Sequence, residues 1–294
     1  ILDAGNQEPV LAAIGSQSTT ENVLLSFGVS ASDPDGTIPV LTTSTLPGTA
    51  TFNDVGDGTG TFTWTPSFTD AGSYPVTFYA GDGVATDSEI VTITVLEAGN
   101  QPPVLAAIGP QGTTEAVQLL IAISATDAEG IPTLTTSALP GTATFVDAGD
   151  GTGTFDWTPT YTEAGSYPVT FYAGDGVATD SEVVTITVAD AGNQTPVLAA
   201  IGPQGTTEGI LLTFGVSASD IDGTIPTLTT SALPGAATFV DAGDGTGTFD
   251  WTPTYVDAGS YPATFYAGDG VATDSEVVTI TVTDAGNQEP ILAA

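Results

Sequence analysis

Apolar and polar residues alternate along most of this chain. In residues 89–95, for example, Val91, Ile93 and Val95 alternate with Thr92 and Thr94. A period of two over four to eight residues is typical of a β-strand with one buried face. Turn residues interrupt these stretches every eight to twelve positions, and no segment has the period of an amphipathic helix. The pattern therefore predicts an all-β chain of short strands.

Asp-Gly and Pro-Gly pairs mark the turns between the predicted strands. Asp33-Pro34-Asp35-Gly36 and Pro47-Gly48 each close a strand, and Gly56-Asp57-Gly58 has the turn chemistry of a hairpin. Within the first 97 residues the predicted strands are 10–14, 23–29, 40–46, 49–53, 60–65, 74–80 and 89–95.

The whole pattern repeats along the chain. A segment reading Ala-Gly-Asn-Gln-x-Pro recurs with its asparagines at Asn6, Asn100, Asn193 and Asn287, which are 94, 93 and 94 residues apart. A fixed period of this length indicates tandem copies of one small domain. We predict the boundaries as linker 1–7, repeat 8–97, linker 98–101, repeat 102–190, linker 191–194, repeat 195–284, and 285–294 as the start of a next repeat or a pairing strand.

A second motif narrows the fold. Asp70-Ala71-Gly72-Ser73-Tyr74 has counterparts ending at Tyr167 and Tyr261, and it resembles the tyrosine corner of immunoglobulin-like domains. Together with about seven strands per repeat, it predicts tandem immunoglobulin-like (cadherin-like) β-sandwiches. Phe62 and Trp64, which recur in each repeat, are predicted to fill the core.

Composition excludes several classes of function. The chain has 294 residues, 35 Asp and Glu, and no Lys, Arg, His, Cys or Met, so its formal net charge is −35. Nucleic acid is excluded as a partner because phosphate binding needs Lys and Arg. Disulfides and thiol chemistry are excluded, and no apolar run is long enough to span a membrane. Without a His or Lys base, a Cys nucleophile or a cation for an oxyanion, we do not expect an enzyme.

The acids recur at fixed places in each repeat. They follow the first strand region, the second strand and the sixth strand, and they occupy the tyrosine corner and the end of the last strand. In a sandwich these places lie at the two ends, so stacked repeats bring two sets together at each linker. One interpretation is a solvated acidic surface; the other is a site for a hard divalent cation. We expect both, with roughly a third of the acids at metal sites.

These features resemble the bacterial Ig-like and cadherin-like tandem repeats of large surface adhesins. The resemblance rests on the segments SDPDG, FTWTP, AGSYPVTF and DGVATDS, and it extends over every repeat. It implies calcium bound between repeats. Residues 97–103 stand where the family has its acidic linker, and Asp127-Ala128-Glu129 stands where the family has Asp-x-Asp. Because Gly99 and Gln101 replace two family ligands, we expect one or two Ca²⁺ ions per junction.

The predicted ligands form one set per junction. For the junction between repeats 1 and 2 they are Glu21, Asp70, Glu97, Asn100, Asp127, Glu129 and Asp175. For the junction between repeats 2 and 3 they are Glu115, Glu163, Asp190, Asn193, Asp220, Asp222 and Asp269.

The sequence thus predicts an extracellular structural segment of a cell-surface or secreted protein: a stalk, adhesin or filament stiffened by calcium. Its expected partners are same-type repeats or neighbouring chains in a fibre or surface array, and a surface glycan or protein receptor. Two alternatives stay open. One is a filament subunit that pairs through residues 285–294. The other is a carbohydrate- or protein-binding module, for which Tyr79, Tyr172 and Tyr266 are the candidate aromatic platform.

Overall fold

The computed structural model describes residues 5–287, and every regular element in that range is a β-strand. The fold class predicted from the sequence is confirmed. Within the described range, no helix is long and apolar enough to cross a membrane. The ends of the chain, including the predicted pairing strand 285–294 from residue 288 onward, lie outside the described residues.

Each repeat contains eight strands. In repeat 1 they are β1 (Val10–Leu11), β2 (Gln17–Thr20), β3 (Leu25–Ser32), β4 (Val40–Thr43), β5 (Thr51–Asp54), β6 (Thr59–Trp64), β7 (Gly72–Gly81) and β8 (Thr86–Leu96). In repeat 2 they are β9 (Val104–Leu105), β10 (Gln111–Thr114), β11 (Leu119–Thr126), β12 (Thr133–Thr136), β13 (Thr144–Asp147), β14 (Thr152–Trp157), β15 (Gly165–Gly174) and β16 (Thr179–Ala189). In repeat 3 they are β17 (Val197–Leu198), β18 (Gln204–Thr207), β19 (Leu212–Ser219), β20 (Thr227–Thr230), β21 (Thr238–Asp241), β22 (Thr246–Trp251), β23 (Gly259–Gly268) and β24 (Thr273–Thr283).

Two four-stranded sheets form each sandwich. In repeat 1 one sheet has the order β1-β3-β6-β5 and the other β2-β8-β7-β4, and repeats 2 and 3 have the same topology. All pairings are antiparallel except one per repeat: β2 runs parallel to β8, with Gln17 opposite Ile93 and Thr20 opposite Leu96. The second and last strands of a repeat therefore lie side by side and point the same way.

The core lies between the two sheets and follows the alternating pattern. Phe62 and Trp64 are buried, which confirms their predicted place, and Phe78 packs edge-on against Phe62 with ring centroids 6.2 Å apart. Trp64 also meets Tyr74 at 5.0 Å in a T-shaped contact. Burial of such large rings is a main source of stability in a domain of this size.

The tyrosine corner forms as predicted. The hydroxyl of Tyr74 donates a 2.9 Å hydrogen bond to the carbonyl of Asp70, and Tyr167 and Tyr261 make the same bond. Pro75 follows within β7, in a part of the strand that pairs with β8 but not with β4. Its missing N–H therefore removes no hydrogen bond to β4.

The strand count corrects the sequence prediction of about seven. The predicted strand 10–14 is shorter, β1 alone, and a separate strand β2 follows it in the opposite sheet. Its residues Gln17–Thr20 are polar and mostly half-buried, so hydrophobic periodicity gives no sign of them. The chain crosses between the sheets at Gly15, whose φ of 70° favours glycine.

Candidate functional site

A buried glutamate holds the exit of each repeat. Glu21 directly follows β2 and is 2% exposed. One of its carboxylate oxygens accepts a hydrogen bond from the N–H of Ala71 at the tyrosine corner (2.8 Å), and the other from the N–H of Ala98 in the linker (3.0 Å). The carboxylate thus ties the linker to the body of repeat 1 although the chain has no side-chain cation.

Glu115 and Glu208 repeat this arrangement. Glu115 accepts from Ala164 and Ala191, and Glu208 accepts from Ala258 and Ala285, at 2.8–3.1 Å. Both are 4% exposed.

The start of each repeat holds the linker from the other side. The backbone N–H of Gln101 donates to Glu129 at 2.8 Å, and the side-chain amide of Asn100 donates to Asp175 at 2.8 Å. Asp175 also accepts from the N–H groups of Val177 and Ala178 in its own loop. The Ala178 N–H, then the Asn100 amide and the Val177 N–H, hold the pKa of Asp175 below its ordinary value.

The same contacts occur at the other linkers. Asn193 donates to Asp269 and Gln194 to Asp222, and in repeat 1 Asn6 donates to Asp82 and Gln7 to Asp35.

Four of the predicted ligands of the first junction line one cavity. Asn100, Asp127, Glu129 and Asp175 surround about 180 Å³. Each of Asp127 and Glu129 uses one oxygen for a backbone N–H and keeps the other without a partner: Asp127 Oδ2 and Glu129 Oε1 are buried atoms with no hydrogen bond. Asp33 Oδ2 and Asp220 Oδ2 are orphaned in the same way at the equivalent loop of repeats 1 and 3.

At the second junction a cleft contains acids from both neighbours. About 440 Å³ is lined by Glu115 and Asp190 of repeat 2, Asn193 of the linker and Asp222 of repeat 3. These are four of the seven ligands predicted for that junction. Acids of both neighbouring repeats thus line one cleft at this linker.

Other predicted ligands have different neighbours. Asp70 accepts from the N–H and hydroxyl of Ser67, Glu163 accepts from the N–H of Thr160, and Glu97 is exposed. In residues 5–287, no group of three or more acidic side chains has the arrangement of a metal site. The ligand roles assigned from the sequence therefore stay predictions.

In repeats 1 and 2 the aromatic residue before the tyrosine corner also lines the junction, and nothing in the sequence singles it out. Phe68 of repeat 1 lines a cleft with Gln101, Pro102 and Asp127, and Tyr161 of repeat 2 lines the cleft that contains Asn193. The only signal is an aromatic residue at the same place in each repeat.

Two further acids have a role that the sequence analysis overlooked. Asp87 accepts from the N–H of Leu11, and Glu89 accepts from the N–H groups of Ile14 and Gly15, all at 2.8 Å. These acids hold β1 and the stretch between β1 and β2 in place. The sequence contains one sign of this role: in the alternating pattern of β8, Asp87 and Glu89 fall on the same inward face as the buried Val91.

Comparison with known proteins gives a family match for every repeat. The model of a family described as "Putative Ig domain" matches residues 8–96, 102–189 and 195–283. No curated protein sequence is significantly similar to the chain.

Among solved structures, the titin domains A168–A170 match 93% of this chain and 99% of theirs at 12% identity and a TM-score of 0.37. An endo-fucoidan hydrolase of glycoside hydrolase family 107, MfFcnA4, matches 96% of this chain at 22% identity and a TM-score of 0.36. The chain spans 45% of that hydrolase, and the similarity is too low to transfer its activity.

Proposed function

The chain belongs to the Putative Ig domain family, and from that premise and the geometry of its linkers we propose that it is an extracellular, load-bearing rod segment. It forms part of a surface stalk, adhesin or filament, and calcium stiffens its junctions. Its partners are same-type repeats or neighbouring chains in a fibre or surface array. Its role is mechanical rather than enzymatic, because the chain has no His, Lys, Arg or Cys to act as base, nucleophile or oxyanion partner.

The observation that carries the proposal is the double attachment of each linker. Ala98 is bonded to Glu21 of the repeat before it, while Asn100 and Gln101 are bonded to Asp175 and Glu129 of the repeat after it. Only Gly99 lies between the two attachments. A linker held on both sides over four residues has little freedom to bend, which suits a rod more than a flexible tether.

The strand arrangement supports a role under tension. A pull on the two ends of repeat 1 reaches β2 at its start, after the two residues of β1, and reaches β8 at its end. Because these strands are parallel neighbours, the pull slides them past each other and loads all the hydrogen bonds of their four residue pairs together. Breaking several hydrogen bonds at once needs more force than opening them singly.

Calcium would suit the buried carboxylate oxygens that have no hydrogen bond in the fold. Asp127 Oδ2 and Glu129 Oε1 are buried oxygens without a partner beside Asp175, and carboxylate and amide oxygens are the ligands that Ca²⁺ prefers. Unit charges 4 Å apart repel by about 1 kcal/mol even in bulk water. Bound Ca²⁺ would neutralise these acids and hold them to the oxygen of Asn100. The acids of the second cleft, Asp190 and Asp222, would act in the same way.

The test is small-angle scattering and thermal melting of the full chain with millimolar CaCl₂ or with EGTA, at fixed ionic strength. Extracellular calcium modules bind at about 10⁻⁴ to 10⁻³ M, so these conditions fill and empty the sites. Three sandwiches of about 33 Å each predict a length somewhat over about 100 Å. We expect EGTA to shorten the mean length and to lower the melting temperature.

The double variant Asp127→Asn/Glu129→Gln should remove the calcium response of the first junction. Asp156→Asn, which removes an outward carboxylate on β14, should keep it. If EGTA changes neither the length nor the melting temperature, and sodium replaces calcium without loss of either, the acids form only a solvated surface.

A further inference from the structure

Although the chain is strongly acidic, one face of each sandwich has no charged side chain. In repeat 2 this is the outer face of the sheet β10-β16-β15-β12. Its outward residues in these described strands are Thr, Ser, Tyr, Val, Pro, Gly and Ala, and the acids of β16, Asp180 and Glu182, point to the other side. The equivalent sheets of repeats 1 and 3 have the same property.

A groove crosses this face around one tyrosine. Tyr172 lies between Thr135 and Ser181 on the neighbouring strands, and the next row is Thr133, Gly174 and Thr179. The groove has a volume of about 560 Å³ in repeat 2 and about 330 Å³ around Tyr266 in repeat 3, within the range of small-ligand sites.

The side chain of Tyr172 is accessible to a ligand and has no evident structural role. Its ring is half-buried on the outer face, outside the core, and its hydroxyl has no hydrogen-bond partner among residues 5–287. By contrast, the hydroxyl of Tyr167 is bonded to the corner. Gly174 has no side chain to fill the groove beside the ring, and Val271 at the rim of the repeat 3 groove is 80% exposed.

We propose that this groove, which surrounds Tyr172 and Tyr266 and which the equivalent strand pairing implies at Tyr79, binds an uncharged polysaccharide. A sugar ring has an apolar face that stacks on an aromatic ring and hydroxyls that exchange hydrogen bonds with Thr, Ser and Tyr hydroxyls. Charge complementarity selects this occupant. A net charge of −35 repels sulfated or carboxylated glycans, whereas a neutral glycan meets a surface without carboxylates.

Repetition of the groove along the chain favours a polymer over a free sugar. Each groove binds weakly, and one chain that occupies two or three of them gains avidity. In repeat 1, Val40 replaces the threonine of the outer row, so its groove should contribute least.

Affinity electrophoresis of the full chain tests this directly, because the net charge gives the protein high mobility in a native gel. The gels contain hydroxyethyl cellulose, galactomannan or dextran, with dextran sulfate as the charged comparison. We expect at least one neutral polymer to retard the chain and dextran sulfate to leave it unaffected. Tyr79→Ala/Tyr172→Ala/Tyr266→Ala should weaken binding about tenfold or more, as expected for lost ring stacking.

Two controls separate the groove from general effects. The triple Tyr→Phe variant keeps the rings and should retain most of the retardation, and Tyr255→Ala removes an exposed tyrosine elsewhere and should have no effect. Circular dichroism checks that each variant is folded. The proposal is overturned if no neutral polymer retards the wild-type chain, if the triple Tyr→Ala variant is retarded equally, or if sedimentation traces the retardation to self-association.

Discussion

Replacing Glu115 by Gln is the sharpest test of how the linker is held. The carboxylate accepts hydrogen bonds from the N–H groups of Ala164 and Ala191 at 2.8 and 3.0 Å, and the side chain is 4% exposed. Glutamine has nearly the same shape but offers only one acceptor. Its NH₂ group would face the second N–H, donor against donor.

The magnitude follows from the two bonds. A hydrogen bond to a charged group contributes about 1.5–3 kcal/mol, and a buried N–H left without a partner costs about 1–3 kcal/mol. We therefore expect the free energy of unfolding of repeat 2 to fall by about 2–3 kcal/mol. For a domain of this size, 1 kcal/mol corresponds to about 4–8 °C, so its melting temperature should fall by at least about 8 °C.

Calorimetry and amide hydrogen exchange measure the two parts of this effect. One of the three unfolding transitions should separate to lower temperature, and the N–H of Ala191 should exchange faster while that of Ala98, held by Glu21, is unchanged. Asp156→Asn removes the same charge at an outward position and serves as the control. An unchanged transition together with an unchanged Ala191 exchange rate would refute the role given to Glu115.

Three further predictions follow from single contacts. Asp175→Asn should destabilise the first junction at neutral pH. Because the pKa of Asp175 is lowered in the folded protein, its carboxylate stabilises the fold only while it is ionised, and the difference from wild type should vanish as pH falls below 3.8 through that lowered pKa. Melting curves from pH 7 to 2 check this. Gly151→Ala should cost more than Gly149→Ala, since both have positive φ but only a Cβ at 151 would lie 2.8 Å from the carbonyl of Ala125; chemical denaturation measures both, and equal costs would contradict the argument. Tyr167→Phe should cost about 0.5–1.5 kcal/mol through the lost corner hydrogen bond, with Tyr172→Phe as a near-neutral control.

The fold was largely readable from the sequence because its signals are local. Alternation located most of the strands, and the motif ending at Tyr74 identified the corner whose hydrogen bond spans only four residues. The separate strand β2 was missed since Gln17–Thr20 are polar and gain their place by pairing with β8, more than 70 residues later. Pairing over that distance leaves no trace in local periodicity.

The junction was readable only in part, for the same reason. The repeat pattern placed Glu115, Asp190, Asn193 and Asp222 at one linker, where the structure also has them. It gave no means of knowing that both oxygens of Glu115 are occupied by backbone N–H groups, or that Asp87 serves the N–H of Leu11 from across the domain. Such bonds depend on tertiary geometry.

In a chain without Lys, Arg or His, the carboxylates must accept hydrogen bonds from other groups. The groups that donate these bonds determine which carboxylate oxygens are still available to a ligand. Glu21, Asp87 and Glu89 place both oxygens on N–H groups of the backbone. A carboxylate so used stabilises the fold without an ion pair and has little left to offer a ligand. The loops after β3, β11 and β19 are the exception, because each contains a buried carboxylate oxygen without a hydrogen bond, and the loop of repeat 2 contains two. The buried carboxylate oxygens without a hydrogen bond therefore lie in the loops beside the linkers, which is where the proposed calcium would bind.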